Sequence, residues 1–348
     1  MAIYIYQRRD WPLFTWNQTS LSRLSAKVRH NQGRLLGRME QLNPTLQMEA
    51  TLRMLTLDIV RSAEIEGEFV DAAEVRTALA QRLGHQHGTV AKNLEGRIGL
   101  LLDATQRYAA PMTEQRMFGW HASLFPHRKA GWRINPVTSP HQVVRYQAPH
   151  SYVVPGEMAA FLEWFNTTGN LDPFMAAAVA HLWFLTIQPF EDGNGRIART
   201  ISALQLARAD DTPYRYYSLS AQLCKERAAY YDILEKTQGG SLDITAWLEW
   251  FLQCLDRALL DTNTQLSGLL AKSRFWEKNT GASLNDRQRT MLNRLLDGIE
   301  VKLTSSAWAR LTASSPDTAI RDINDLLKQG ILVKDPAGGR STSYRLLN

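Results

Sequence analysis

At 348 residues the chain is too long for one ordinary core, so two or three domains are expected. A hydrophobic fraction of 44%, a charged fraction of 21% and a net charge of +6 spread along the chain describe an ordinary globular protein, able to touch nucleic acid but not committed to it. Two cysteines, Cys224 and Cys254, exclude a disulfide framework or a cysteine zinc site, and neither an apolar leader nor a run of roughly 18 uncharged apolar residues is present, so a cytoplasmic protein without membrane contact is expected.

Residues 1–20 are aromatic and irregular, and Trp11-Pro12 and Trp16 are expected to pin them to a neighbouring surface. From about Leu21, Leu24, Val28, Leu35 and Met39 recur at helical spacing until Asn43-Pro44. A second helix runs from about Leu46 to Glu66 and stops at Gly67, a residue suited to ending helices. Further helices are expected near 71–82, 90–108, 113–123 and 155–167. The stretch Gly131 to Pro149, rich in proline and β-branched residues, predicts a hairpin or extended flap. A helix over Pro173–Ile187 is apolar nearly all round and therefore central and buried. His181 lies within it and reads as a structural histidine. After a loop and a helix from Arg196, more helices are expected near 219–236 and 243–262.

Polar residues 266–283 read as a linker. The tail over 284–348 gives helix 285–297, a short strand near 301–303, helices 304–312 and 316–329, strand 331–335, a Gly-Gly-Arg turn and strand 343–347, which is the order of a winged helix-turn-helix. Lys334 and Arg340 flank its wing, whereas Asp317, Asp322 and Asp325 on the last helix oppose the approach of phosphates. Winged helices serve both as DNA readers and as protein contacts, and both partners stay open.

The chemistry concentrates in the loop Gln188-Pro189-Phe190-Glu191-Asp192-Gly193-Asn194-Gly195-Arg196. Gly193 and Gly195 permit turns that aim several N–H groups into one concavity, and the following helix adds the partial positive charge of its N-terminus. Arg196 and Arg199 share a helix face, so two guanidinium groups stand beside an amide nest, a strong polyphosphate site. Asp192 places one carboxylate at the lip, where Mg²⁺ is commonly held against phosphates. Asp-Gly-Asn-Gly by itself fits an ordinary helix-capping turn equally well. Nothing in the loop selects a base.

The whole segment, with its buried helix upstream, resembles the Fic motif, H-P-F-x-[DE]-G-N-G-R-x-x-R, at every specified position after the first. The resemblance implies a mainly helical, all-α Fic fold with a small hairpin flap, divided here as an N-terminal helical region (1–85), a Fic core (86–265), the linker and the winged helix. It implies transfer of AMP from ATP, with Mg²⁺, to a Tyr, Ser or Thr hydroxyl of a target protein. It assigns ATP binding to Asp192, Gly193, Asn194, Gly195, Arg196 and Arg199, with Tyr230, Tyr231 and Gln238 at the adenine side. Flap residues Gln142, Val143 and Val144 would dock the target as an added strand.

The family's first motif residue is a general-base His, and here it is Gln188. A carboxamide holds no proton near neutral pH, so the resemblance implies a chain that grips nucleotide but transfers AMP poorly. Ser62-Ala63-Glu64-Ile65-Glu66-Gly67 resembles the family's inhibitory motif. Carried over, Ser62, Glu66 and Gly67 form a brake in which Glu66 pairs with Arg199 and takes the place of the γ-phosphate. The alternative for this motif is a solvated glutamate at a helix end. Relatives with such a brake often pair as homodimers, which the resemblance makes an expectation here.

Overall fold

A computed structural model describes residues 4–84, 92–135, 146–169, 171–298, 302–336 and 342–347. The chain is mostly helical and divides into two units, 1–264 and 265–348. No helix among the described residues is long and apolar enough to cross a membrane.

The first unit holds α1 (Gln18–Glu40), α2 (Pro44–Ile65), α3 (Ala72–Arg82), α4 (Lys92–Gln106), α5 (Glu114–Leu124), α6 (Val154–Asn166), α7 (Pro173–Ile187), α8 (Asn194–Asp210), α9 (Leu219–Lys225), α10 (Arg227–Gln238) and α11 (Thr245–Gln265). Helix starts follow local capping chemistry. Asn43 caps α2, with Pro44 in the first turn where a missing N–H is harmless. Asp172 caps α7 and is itself held by Ser25 and Arg29 of α1. Helix α7 is buried from Phe174 to Ile187, and Trp247 of α11 donates its indole N–H to the Ala178 carbonyl (2.9 Å). Helices α7 and α8 form the central antiparallel pair, with α2 and α4 packed beside α8. A second cluster, built from Leu55, Ile59, Val75, Leu79, Leu94 and Ile98, ties α2, α3 and α4 together.

The N-terminal segment is pinned by Trp11 and Phe14, both edge-on to Trp183 of α7, and by backbone bonds that join Thr15 to residues 242–244. The indole of Trp16 instead bonds its neighbour Gln18. The single helix expected near 219–236 is two, because the chain leaves helical geometry at Glu226, whose carboxylate is engaged by Arg257 of α11. The candidate flap residues Gln142, Val143 and Val144 lie outside the described residues.

The second unit holds α12 (Ser267–Lys278), α13 (Asp286–Leu296), α14 (Ser305–Leu311), α15 (Pro316–Lys328), β1 (Leu332–Lys334) and β2 (Tyr344–Leu346). The stretch read as a linker therefore contains helix α12, and its Phe275 and Trp276 pack on a core of Leu292, Trp308, Ile323 and Leu326. Strands β1 and β2 pair antiparallel, with Val333 opposite Arg345. The strand expected near 301–303 is a single bridge from Leu303 to Tyr344 among the described residues. Asp322 does not face outward: it is buried and bonded to Asn285 (2.9 Å) and Arg287 (3.0 Å). Gly338, Gly339 and Arg340 of the wing lie outside the described residues.

One close contact sets how α4 and α5 cross beside the loop. A Cβ on Gly96 would lie 1.8 Å from the Ser123 carbonyl oxygen, so the backbones meet only because that position has no side chain. The variant Gly96→Ala is expected to lose about 1–3 kcal/mol of stability through forced separation of the helices. Urea unfolding checks this, and an unchanged midpoint would refute it.

Candidate functional site

Helix α7 ends where the loop begins, and the turn is made by Gln188 in left-handed geometry (φ 47°). Such a backbone is unfavourable for a residue with a Cβ and must be held by its surroundings. Arg133 supplies much of that hold. Its backbone N–H donates to the Pro189 carbonyl (2.9 Å) and its Nε to the Gln188 carbonyl (2.7 Å), while the side chain also reaches the Pro149 carbonyl. Phe190 is fully buried and stacks on His121 (4.3 Å between rings). Asn194 closes the loop on itself: its Oδ1 accepts from the Phe190 N–H (3.0 Å) and its Nδ2 donates to the Phe190 carbonyl (2.7 Å).

Gly193 precedes α8 with φ 79°, and a Cβ there would strike the Phe125 ring at 2.6 Å. Geometry and space both demand glycine at this position. Gly195 has a different reason. It is helical, and a Cβ would lie 2.6 Å from a Glu66 carboxylate oxygen and 3.2 Å from the Arg199 guanidinium. The first amides of α8, at Asn194, Gly195 and Arg196, have no acceptor within the helix, which leaves an electropositive end beside these glycines. Asp192 is half exposed at the lip. One of its oxygens accepts from the Gly193 N–H (2.6 Å) and the other lies 3.6 Å from Arg128. Arg128 and Arg196 both stack on Phe125, at 5.0 and 5.1 Å.

Arg199 is almost wholly buried, its side chain only 2% exposed. Its guanidinium donates to Glu66 Oε1 (2.7 Å), to the Ser62 hydroxyl (2.9 Å) and to the Ser62 carbonyl (3.1 Å). Burial by itself would raise the Glu66 carboxyl, but Arg199 beside it holds that group below the ordinary carboxylate range. Ser62 lies in α2 and Glu66 caps its C-terminus, 133 or more positions away in sequence from Arg199. Gly67, with φ 78°, ends α2 in a Schellman turn: its N–H donates to the Glu64 carbonyl and the Glu68 N–H to the Ala63 carbonyl, both at 3.0 Å.

The expected adenine-side residues do not share one environment. Tyr230 is buried, and its hydroxyl meets His181 Nε2 at 2.8 Å; the other ring nitrogen of His181 meets the Ser202 hydroxyl. Burial, with Arg199 nearby, pushes His181 down to about 3, so it is a neutral core residue. Gln238 is buried and donates to the Leu185 carbonyl (3.1 Å). Tyr231 alone of the three is partly exposed, with Arg227 against its ring.

A family profile described as Fic/DOC family matches residues 111–206, which include α7, the loop and most of α8. The chain carries a Fic/DOC family domain. A second profile, described as a domain of unknown function (DUF4172), matches residues 4–85, so Ser62, Glu66 and Gly67 lie outside the Fic match. The chain is 28% identical over 211 residues to the protein adenylyltransferase Fic of Culex quinquefasciatus and 27% over 213 residues to that of Aedes aegypti. In each case the match covers 58% of this chain and 40% of the relative, so the chain spans well under half the length of these curated relatives.

Among solved structures, a Fic family protein from Desulfovibrio desulfuricans G20 aligns with a TM-score of 0.56 at 20% identity, over 93% of this chain and 96% of that one. A Fic domain containing signaling protein from Bacteroides thetaiotaomicron VPI-5482 aligns with a TM-score of 0.53 at 19% identity, over 68% of this chain and 98% of that one. These likenesses establish a Fic fold.

Around this Fic loop, four residues went unassigned by the sequence reading: Phe125, Arg128, Arg97 and Glu68. They come from segments with no motif of their own, and only their spatial approach to Arg196 and Asp192 marks them.

Because the folded pKa of Glu66 lies below its unfolded value, its pair contributes stability at neutral pH, and that contribution fades as pH falls through the folded value. Relative to the unchanged chain, Glu66→Gln is expected to be less stable at pH 7 by about 1–3 kcal/mol. That gap should shrink as pH drops below about 4. Thermal unfolding across pH tests this; a gap equally large at pH 7 and pH 3 would contradict it.

Proposed function

We propose that this chain is a protein adenylyltransferase that is held in a braked state and impaired at its base. The carrying observation is the loop itself: an ordered anion cradle of α8 amides with Arg196 and Arg199 on the same face. In the reaction, a target hydroxyl attacks the α-phosphorus of ATP, the bond from that phosphorus to the bridging oxygen breaks, pyrophosphate leaves, and the hydroxyl proton passes to a base. Gly193, Asn194 and Gly195 shape the cradle, and Arg196 and Arg199 neutralise the phosphates. Tyr231 is the accessible member of the adenine-side set, and Tyr230 and Gln238 support it from the core.

Mg²⁺ suits the donor set. One exposed carboxylate, Asp192, stands at the lip, and this ion is usually held by one or two carboxylates together with phosphates and water. It would neutralise charge on the phosphates. Glu66 supports a brake, since a guanidinium committed to a carboxylate is not available to a phosphate. The target would dock along the flap at Gln142, Val143 and Val144. Gln188 holds the position of the family's general base, and a carboxamide holds no proton near neutral pH.

A second reading attaches to the second unit, as a winged helix-turn-helix that contacts DNA. It is favoured by the inward turn of Asp322, one of the three acids of α15, while Arg321, Asn324 and Lys328 are exposed there beside Asp317 and Asp325. If so, duplex DNA binds and the double variant Arg321→Ala, Lys328→Ala weakens it in a salt-dependent manner. No binding by the unchanged chain would leave protein contact as the role of this unit.

The transferase reading is tested with ATP labelled at the α-phosphate, Mg²⁺, and a lysate as the source of targets. Gln188→His should raise AMP transfer about 10²–10⁴-fold. Adding Glu66→Gly should raise it again. Silence from all variants while nucleotide still binds would defeat the transferase reading.

A further inference from the structure

We propose that Glu68 is a second carboxylate clamp on the loop, holding Arg196 as Glu66 holds Arg199, and that Arg97 is the residue that positions it. The inference rests on the nucleotide-binding reading and extends its regulation to a residue outside the inhibitory motif.

Glu68 is the residue just past the Schellman turn of α2, and the same turn that presents Glu66 also presents Glu68. One Glu68 oxygen lies 3.3 Å from the Arg196 guanidinium and the other is bonded by Arg97 of α4. The Arg196 side chain is 11% exposed and its position is narrow: Phe125 covers one face and its Nε is buried without a partner. Among the described residues Arg196 is ion-paired with Glu68, and that partner comes from the braking element.

Arg97, Arg196 and Arg199 all line one small cavity of about 30 Å³, together with Asp58 and Ser62. That space holds a water or two, and neither Glu66 nor Glu68 lines it. Apart from that cavity, two glutamates from one turn hold all three arginines, Glu66 on Arg199 and Glu68 on Arg196 and Arg97. A polyphosphate would substitute for both at once, and movement of one short turn would release both arginines together. The pair Glu68–Arg196 is more exposed than Glu66–Arg199, so it is the weaker of the two clamps.

The test is ATP affinity in the presence of Mg²⁺, measured by calorimetry on the full chain with Gln188 in place, so that no transfer is needed. Glu66→Gly should tighten binding. Glu68→Gln should tighten it by about 2- to 5-fold, and the double variant should exceed either single. Arg97→Ala should also tighten binding by itself but change nothing further in the Glu68→Gln background, as expected of a residue acting through another. If Glu66→Gly tightens binding and Glu68→Gln leaves it unchanged or weaker, the second clamp is refuted while the nucleotide reading stands. If Arg97→Ala still shifts affinity when Glu68 is gone, Arg97 is no positioning residue. If no variant binds ATP, the nucleotide reading fails and takes this inference with it.

Discussion

A guanidinium removed from water must be met by an anion. Arg199 sits on α8 against the apolar wall of α7, and its side chain is 2% exposed. Leaving such a charge unpaired would cost several kcal/mol, more than a domain of this size can easily spare. Much of the local architecture follows from that need. Helix α2 must reach α8, must stop where its last carboxylate meets the guanidinium, and must turn there on a residue tolerant of φ 78°. Gly195 must lack a Cβ because the carboxylate occupies the space. The same constraint is met in this structure by Glu66 together with the Ser62 hydroxyl and carbonyl.

The loop is rigid for reasons that do not involve the chemistry proposed for it. Asn194 ties it to the Phe190 backbone, Arg133 ties its first residues to the segment around 149, and Phe190 anchors it under His121. None of these bonds passes through the Gln188 side chain. The shape of the loop is thus carried by atoms other than the Gln188 side chain, and a change of side chain at position 188 leaves these bonds in place. Strain at Gln188, with φ 47°, is held by the backbone carbonyls that Arg133 collects.

The DUF4172 match and the Fic match divide the site between them, since Glu66 lies in the first and Arg199 in the second. They meet through the α2, α4 and α8 packing, whose apolar cluster includes Ile59 and Ile98. Ile59 and Glu66 belong to the same helix, so burying its apolar stripe also sets where its acidic end lands.

Local signals were read correctly where neighbours in sequence are also neighbours in space. Asn43-Pro44 and Gly67 mark helix ends by backbone chemistry, the apolar run of α7 marks a buried helix, and the glycines of the loop mark a turn. The resemblance supplied the Fic fold through that loop. What the sequence could not reveal depended on which distant residues converge. Tyr230 and Gln238 look like any polar helix residues until α7 covers them. The polar stretch 266–283 forms α12 because Phe275 and Trp276 find a core built farther along the chain. Asp322 looks like an outward acid until Arg287 turns it inward. The sequence by itself determined the glycines of the loop, the spacing of Arg196 and Arg199 and the glutamine at position 188, because each is a matter of residue type and position. The resemblance already implied that Glu66 meets Arg199, whereas the tertiary structure alone decided that Glu68 approaches Arg196 and that Arg97 holds it, since Coulomb attraction acts through distance in space and these contacts carry no trace in the order of the chain.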